Sequence, residues 1–94
     1  MSGRKVWWIR GYDSMNIIFE RSLPLGLLTE KELVRLLQRL VSRHLDEDEV
    51  VAASLRRNAK GYAHLLEAHV DRRTPQTTIM VGENPHYVGT IRDA

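Results

Sequence analysis

The stretch KVWWIRG, Lys5–Gly11, places two tryptophans side by side in a segment whose composition is typical of a β-strand. Successive side chains of a strand point to opposite faces of a sheet, so Trp7 and Trp8 cannot both face one core. The sequence therefore predicts a sheet with one core face and a second face that still carries a tryptophan.

A second strand-like segment follows, and the two together predict a β-hairpin. Lys5–Arg10 and Met15–Arg21 are rich in Trp, Ile and Phe, and the turn-forming sequence GYDS lies between them. Sorting the side chains by parity gives one uniformly apolar set, which we expect to face the core: Trp7, Ile9, Met15, Ile17 and Phe19. The other set mixes apolar centres with polar ends.

The middle of the chain predicts a first helix over Glu30–His44. Thr29 and Glu32 have the spacing of a capping box, in which each side chain satisfies a backbone donor of the other residue. The leucines that follow repeat at the helical period and form one apolar stripe.

A second helix is predicted from Asp46 to about Val70. Asp46 can cap it, and the acidic residues that follow suit the positive end of the helix dipole. Asn58 and Gly61 leave a break open, although glycine costs only ~1 kcal/mol in a helix interior. Because the two helices are joined by a very short connection, they are expected to form a helical hairpin.

The last third of the chain returns to a strand pattern. The segments TTIMV and HYVGTIR flank GENP, which predicts a second hairpin. The fold class is therefore α+β in the order ββααββ, an antiparallel sheet of two hairpins with the helical hairpin packed on one face. We expect a single domain over residues 1–94, with one modest core.

The composition limits the function classes. A hydrophobic fraction of 43% with 28% charged residues is ordinary for a globular protein. The chain has no cysteine, which excludes a disulfide framework, thiolate catalysis and zinc sites built on cysteine. Neither a signal-peptide pattern nor an apolar run near ~20 residues is present, so we expect a cytoplasmic location and no membrane contact.

The sequence contains no recognisable catalytic or cofactor motif. No serine stands in a G-x-S-x-G turn, and no glycine-rich loop could cradle a phosphate. His44 and the acidic run after it are explained by capping, and His64 and His69 are spaced so that they diverge on a helix. We expect no enzymatic activity, no cofactor and no bound metal.

The face away from the helices is the first candidate site. Burying a tryptophan of about 200 Å² at ~25 cal/mol per Å² is worth on the order of 5 kcal/mol, so an uncovered Trp8 suggests a partner. The predicted interface residues are Val6, Trp8, Ile18, Met80 and Val88. The partner would be a second copy, giving a homodimer, or another protein. The tail of the chain or the connection SLPLGLL could instead fold over this face, or the tryptophan could be exposed.

The second candidate is a row of basic residues at steps of four along the first helix, on the side opposite its leucines: Lys31, Arg35, Arg39 and Arg43. This basic ridge could be a solvated face, or it could contact an acidic protein surface or nucleic acid. A net charge of +2 favours a nucleic-acid partner only weakly. The leading hypothesis is a non-enzymatic interaction module, and the alternative is a nucleic-acid or anionic-surface binder that uses the basic ridge.

Overall fold

The computed structural model describes residues 4–72 and 76–94, which form a five-stranded antiparallel sheet and two α-helices. The elements in chain order are β1 (Lys5–Asp13), β2 (Asn16–Pro24), α1 (Glu30–Ser42), α2 (Glu47–Ser54), β3 (Ala68–Asp71), β4 (Thr78–Gly82) and β5 (His86–Asp93). Short 3-10 turns occupy Leu25–Leu27 and His64–Leu66. The strand order across the sheet is β2-β1-β5-β4-β3. The predicted α+β class is confirmed.

The predicted order ββααββ is wrong, because the second helix ends early and a fifth strand follows it. Leu55 adopts an extended conformation directly after α2, and Gly61 has φ of 91°, a left-handed conformation that glycine adopts readily. The later segment Ala68–Asp71 pairs antiparallel with β4. Pairing with a sheet edge satisfies its backbone groups, which outweighs the helical spacing of its apolar side chains. The order is ββααβββ.

Helix α1 begins where the sequence predicts. Thr29 Oγ1 accepts a hydrogen bond from the Glu32 amide at 3.1 Å, and Glu32 Oε1 accepts one from the Thr29 amide at 3.0 Å. The helix packs over β4 and β5 and buries one stripe: Leu33, Leu37, Leu40 and Val41. It ends at Ser42, two residues before the predicted end.

Helix α2 does not pack on the sheet as the predicted helical hairpin requires. Asp46 caps it through a 2.8 Å hydrogen bond from the Glu49 amide, as expected. None of its residues is buried, however, and it lies mainly against the 3-10 turn His64–Leu66. Only α1 therefore supplies buried helical side chains to the core.

The core lies between α1 and one face of the sheet, and Trp7 is its largest member. Trp7 is 2% exposed, and its indole Nε1 donates a hydrogen bond to the Leu28 carbonyl oxygen at 3.0 Å. Tyr87 is also 2% exposed, and its hydroxyl lies 2.8 Å from His44 Nε2. Burial raises the pKa of the Tyr87 hydroxyl. The remaining core side chains come from β1, α1 and β4: Ile9, Leu33, Leu37, Leu40, Val41, Ile79 and Val81.

A β-bulge in β2 changes the parity of the first hairpin. Gly11 pairs with Phe19 and Tyr12 pairs with Ile17, so Ile18 is the extra residue. Ile17 consequently lies on the side of Tyr12 and is 58% exposed, and Met15 in the turn is 93% exposed. The prediction that Met15 and Ile17 face the core is wrong, whereas Trp7, Ile9 and Phe19 do lie on the core side.

Candidate functional site

The face of the sheet opposite α1, called the outer face below, carries the side chains that alternate with the core. In the central pair of strands, Trp8 lies opposite Thr90, Arg10 opposite Val88 and Tyr12 opposite His86. These pairs alternate with core pairs such as Trp7–Ile91 and Ile9–Gly89. The outer face is extended by β2 on one side and by β4 and β3 on the other.

Trp8 is covered on the outer face by two guanidinium groups. The Arg10 and Arg92 guanidinium carbons each lie 3.8 Å from the centre of the Trp8 ring. Arg10 lies two residues after Trp8 on β1. Arg92 pairs with Val6, which lies two residues before Trp8, so the two arginines flank the Trp8 ring from opposite directions along the strand. Trp8 Nε1 donates a hydrogen bond to Glu20 Oε2 at 2.9 Å. Tryptophan offers the most favourable ring for such cation–π contacts.

The contacts of Trp8 continue along the outer face as an ordered row. An Arg10 guanidinium nitrogen donates a 2.7 Å hydrogen bond to the Tyr12 hydroxyl, and the Tyr12 ring stacks on His86 with centroids 5.2 Å apart. The row Arg92, Trp8, Arg10, Tyr12 and His86 is called the arginine–aromatic row below. Its members hold one another in place, so the centre of the outer face is a preorganised surface of aromatic and cationic groups.

The five predicted interface residues do not form one apolar patch. Val6 and Trp8 are half-buried on β1, while Met80 and Val88 pair with each other across β4 and β5. Arg10 lies opposite Val88 and so interrupts the apolar surface beside Trp8. Ile18 is 44% exposed at the bulge, away from the others. That these residues contact a partner stays a prediction.

Sequence reasoning missed most of the arginine–aromatic row. Alternation in the sequence already places Arg10 on the face of Trp8, and it would place Tyr12 there too. Arg92 and His86 could not be placed beside them, because they reach Trp8 and Tyr12 only through the pairing of β1 with β5.

The charges of the outer face are nearly balanced. Arg10 and Arg92 are offset by Glu20, which accepts from Trp8, and by Asp71, which lies opposite Thr78. Phosphate-binding surfaces carry a clear excess of positive charge. Among the described residues, the outer face has no such excess of positive charge.

The basic ridge lies on α1, remote from the outer face. Lys31, Arg35 and Arg39 are exposed on the helix, and Arg43 is the exposed residue that caps its C-terminal end. The ion pairs found within the described residues join Lys5 with Asp93, Arg57 and His64 with Glu67, and Arg72 with Glu30. In that part of the chain, no residue of the ridge forms a salt bridge.

A separate cluster around Glu67 closes the loop after α2. The Tyr62 hydroxyl donates to Glu67 Oε2 at 2.7 Å, and His64 Nδ1 lies 2.6 Å from the same oxygen. Arg57 contacts the other carboxylate oxygen at 3.2 Å. The hydrogen bond from Tyr62, followed by that from His64, lowers the pKa of Glu67 below its ordinary value of 4.5.

We expect the Glu67 cluster to make stability depend on pH at the acid end. Because its pKa is lower in the folded protein, the ionised carboxylate stabilises the fold above pH 4.5 and the contribution is lost as the pH falls through the lowered value. Wild type should be more stable than Glu67→Gln at pH 7, and urea unfolding should show the difference shrinking below pH 4.5. Glu83→Gln, at an exposed turn position, is the control. A difference independent of pH would contradict this role of the carboxylate.

Metal clusters and membrane-spanning helices are both absent from the described ranges 4–72 and 76–94. No group of three or more His, Asp or Glu residues there could hold a metal ion. No helix of that part is long and apolar enough to cross a bilayer. Comparison with known proteins found that no family, curated protein or solved structure matches the chain.

Proposed function

We propose that this protein is a non-enzymatic interaction module that forms a homodimer through the outer face of its sheet. The observation that carries the proposal is the arginine–aromatic row at the centre of that face. Trp, Tyr and Arg are the residues most enriched at the energetic centres of protein interfaces. Because the row is already ordered, little side-chain freedom would be lost on association. We place this function in the cytoplasm, as expected from the sequence.

The size and charge of the outer face suit a second copy of the chain. Five strands of four to nine residues, ~4.8 Å apart, give a face of roughly 550 Å², about two thirds of the ~800 Å² per partner of a standard-size complex. Ile17 lies on the same face and Met15 at the adjoining turn, and both are largely exposed. Balanced charge lets two such faces approach without strong repulsion, and two sheets can then pack about 10 Å apart.

Substitution of Ile17 tests the homodimer. Ile17 is 58% exposed on the outer face, and Val51 is 61% exposed on α2, so the two sites accept a lysine equally well in the monomer. We expect Ile17→Lys to prevent association, because a dimer would bury the new charge, whereas Val51→Lys should behave as wild type. Light scattering over a range of concentrations should show the wild-type mass rising from 10.9 kDa towards twice that value.

Two results of this experiment would contradict the homodimer. One is a wild-type protein that stays monomeric at every concentration. The other is a dimer that Ile17→Lys and Val51→Lys leave equally intact.

The basic ridge supports a second candidate function, binding of an anionic partner. Its four basic side chains are all exposed, and none forms a salt bridge within the described residues. Arginine suits bidentate contacts with carboxylate or phosphate groups. This function would use the opposite side of the sheet and could operate in a monomer or a dimer.

A further inference from the structure

A groove runs beside the basic ridge, between α1 and the edge strand β2. Helix α1 packs over β4 and β5 rather than over β2, and most residues of β2 are exposed to solvent. The side chains that line the groove are Leu23, Leu28, Glu32, Arg35, Leu36 and Arg39. Three half-buried leucines thus adjoin two arginines of the basic ridge.

The groove has the size for apolar side chains of a partner. Its volume is about 280 Å³. Small-molecule and cofactor sites usually have volumes of ~300–1,000 Å³, so this groove is at or below the lower limit. It can accept one or two apolar side chains presented by a larger molecule.

The charge around the groove selects an acidic partner. Glu32 is the carboxylate among the lining residues, and its oxygen accepts a hydrogen bond from the Thr29 amide in the capping box. Within the described residues Arg35 and Arg39 form no salt bridge. The hydrogen bonds with Thr29 and, to a smaller extent, the charge of Arg35 lower the pKa of Glu32. Lys31 and Arg43 continue the positive surface along the helix. A bound carboxylate would therefore find arginines that no salt bridge of the described residues occupies.

The spacing of the arginines fits a helix. Arg35 and Arg39 are one step of four apart on α1, which corresponds to about 6 Å along the axis. Acidic residues at the same spacing on a second helix would match them, and an i, i+4 ridge can pack into the groove of another helix. Nucleic acid would match the charge but would leave the leucines without apolar contacts.

We propose that the groove between α1 and β2 binds an acidic amphipathic helix of a partner protein. The helix places apolar side chains against Leu23, Leu28 and Leu36, and its carboxylates contact Arg35 and Arg39. This inference rests on the second candidate function, binding of an anionic partner by the basic ridge, and it names the class of that partner. It does not depend on the homodimer.

A designed peptide of about 18 residues, long enough to form a helix, serves as the probe. It carries Glu pairs at i, i+4 on one side and leucines beside them, with a fluorescent label for anisotropy. A second peptide has each leucine replaced by serine, and a mixed-sequence single-stranded oligonucleotide of the same charge is the third probe. Binding is measured at low and moderate salt.

Charge reversal in the protein provides the matched variants. Arg35→Glu combined with Arg39→Glu should weaken binding of the leucine peptide about tenfold or more, because two attractive contacts become repulsive. Arg56→Glu combined with Lys60→Glu changes the net charge equally at exposed positions away from the groove and should have little effect. The serine peptide should bind clearly more weakly than the leucine peptide.

The outcomes distinguish the anionic-partner function of the basic ridge from binding of an acidic helix in the groove. If the oligonucleotide binds through Arg35 and Arg39 and the peptide does not, the anionic-partner function stands and the acidic helix is wrong. Equal binding of the serine and leucine peptides would also overturn it, because the groove would then contribute nothing. If none of the probes binds, both proposals fail.

Discussion

Replacing Trp7 with alanine is expected to lower the free energy of unfolding by about 3–5 kcal/mol, the usual cost of removing a large buried aromatic side chain. Trp7 is 2% exposed and its indole nitrogen donates to the Leu28 carbonyl, so the substitution leaves a cavity and an unpaired acceptor. Trp8→Ala is the matched control at the neighbouring position. It should cost only about 1–2 kcal/mol, because it removes two partly exposed cation–π contacts and one hydrogen bond.

Urea unfolding followed by circular dichroism measures both substitutions. Since small domains are stable by only ~5–15 kcal/mol, Trp7→Ala could leave too little folded protein for a reliable curve. In that case Trp7→Phe is measured instead, because it keeps most of the ring but loses the hydrogen bond to Leu28. Its loss of unfolding free energy should fall between those of Trp7→Ala and Trp8→Ala. An equal or larger loss for Trp8→Ala would contradict the assignment of Trp7 to the core.

The second large effect is expected at Gly11, where the backbone of β1 approaches a buried ring. A Cβ added to Gly11 would lie 2.3 Å from Cε2 of Tyr87, far inside van der Waals contact. Tyr87 is 2% exposed and its hydroxyl is engaged with His44, so the ring cannot move aside without loss. We expect Gly11→Ala to cost about 3 kcal/mol, at the upper end of overpacking effects.

Gly26→Ala is the control for Gly11→Ala. A Cβ at Gly26 would meet no atom within 4 Å, and the substitution should change stability by less than about 0.5 kcal/mol. Thermal unfolding of the two variants beside wild type makes the comparison. If Gly11→Ala unfolds at the wild-type temperature, the close approach of β1 to Tyr87 is wrong.

The features that were predictable from the sequence are those set by local chemistry. The capping box at Thr29 and Glu32 fixes the start of α1 through bonds between residues three apart. The assignment of Trp7 to the core follows from strand alternation within a few residues. Each of these signals is complete within one short segment of the chain.

The features that were missed depend on contacts between distant segments. The bulge at Ile18 is defined by its register against β1, and it reverses the parity that placed Ile17 in the core. The segment Ala68–Asp71 has helical spacing by itself and becomes a strand only because β4 offers it an edge. The cover over Trp8 includes Arg92, which lies near the other end of the chain.

Contacts between distant segments also determine the surroundings of Trp8. The sequence predicts that Trp8 is covered by a partner, by the tail or by the connection SLPLGLL, or else is exposed. Two arginines of the same chain instead cover its ring, so the folded monomer does not need a partner for that purpose. The features that favour the proposed self-association are instead the whole arginine–aromatic row and the exposed Ile17 beside it.

Acrylamide quenching of Trp8 fluorescence, measured as a function of protein concentration, reports directly on whether the outer face becomes covered. The chain has two tryptophans, so Trp7→Phe leaves Trp8 as the sole emitter, and circular dichroism verifies that the variant is folded. The homodimer predicts that the quenching constant falls over the concentration range in which the mass doubles. A constant that stays at its monomer value through that range would show that the outer face remains open, and it would contradict the proposed function.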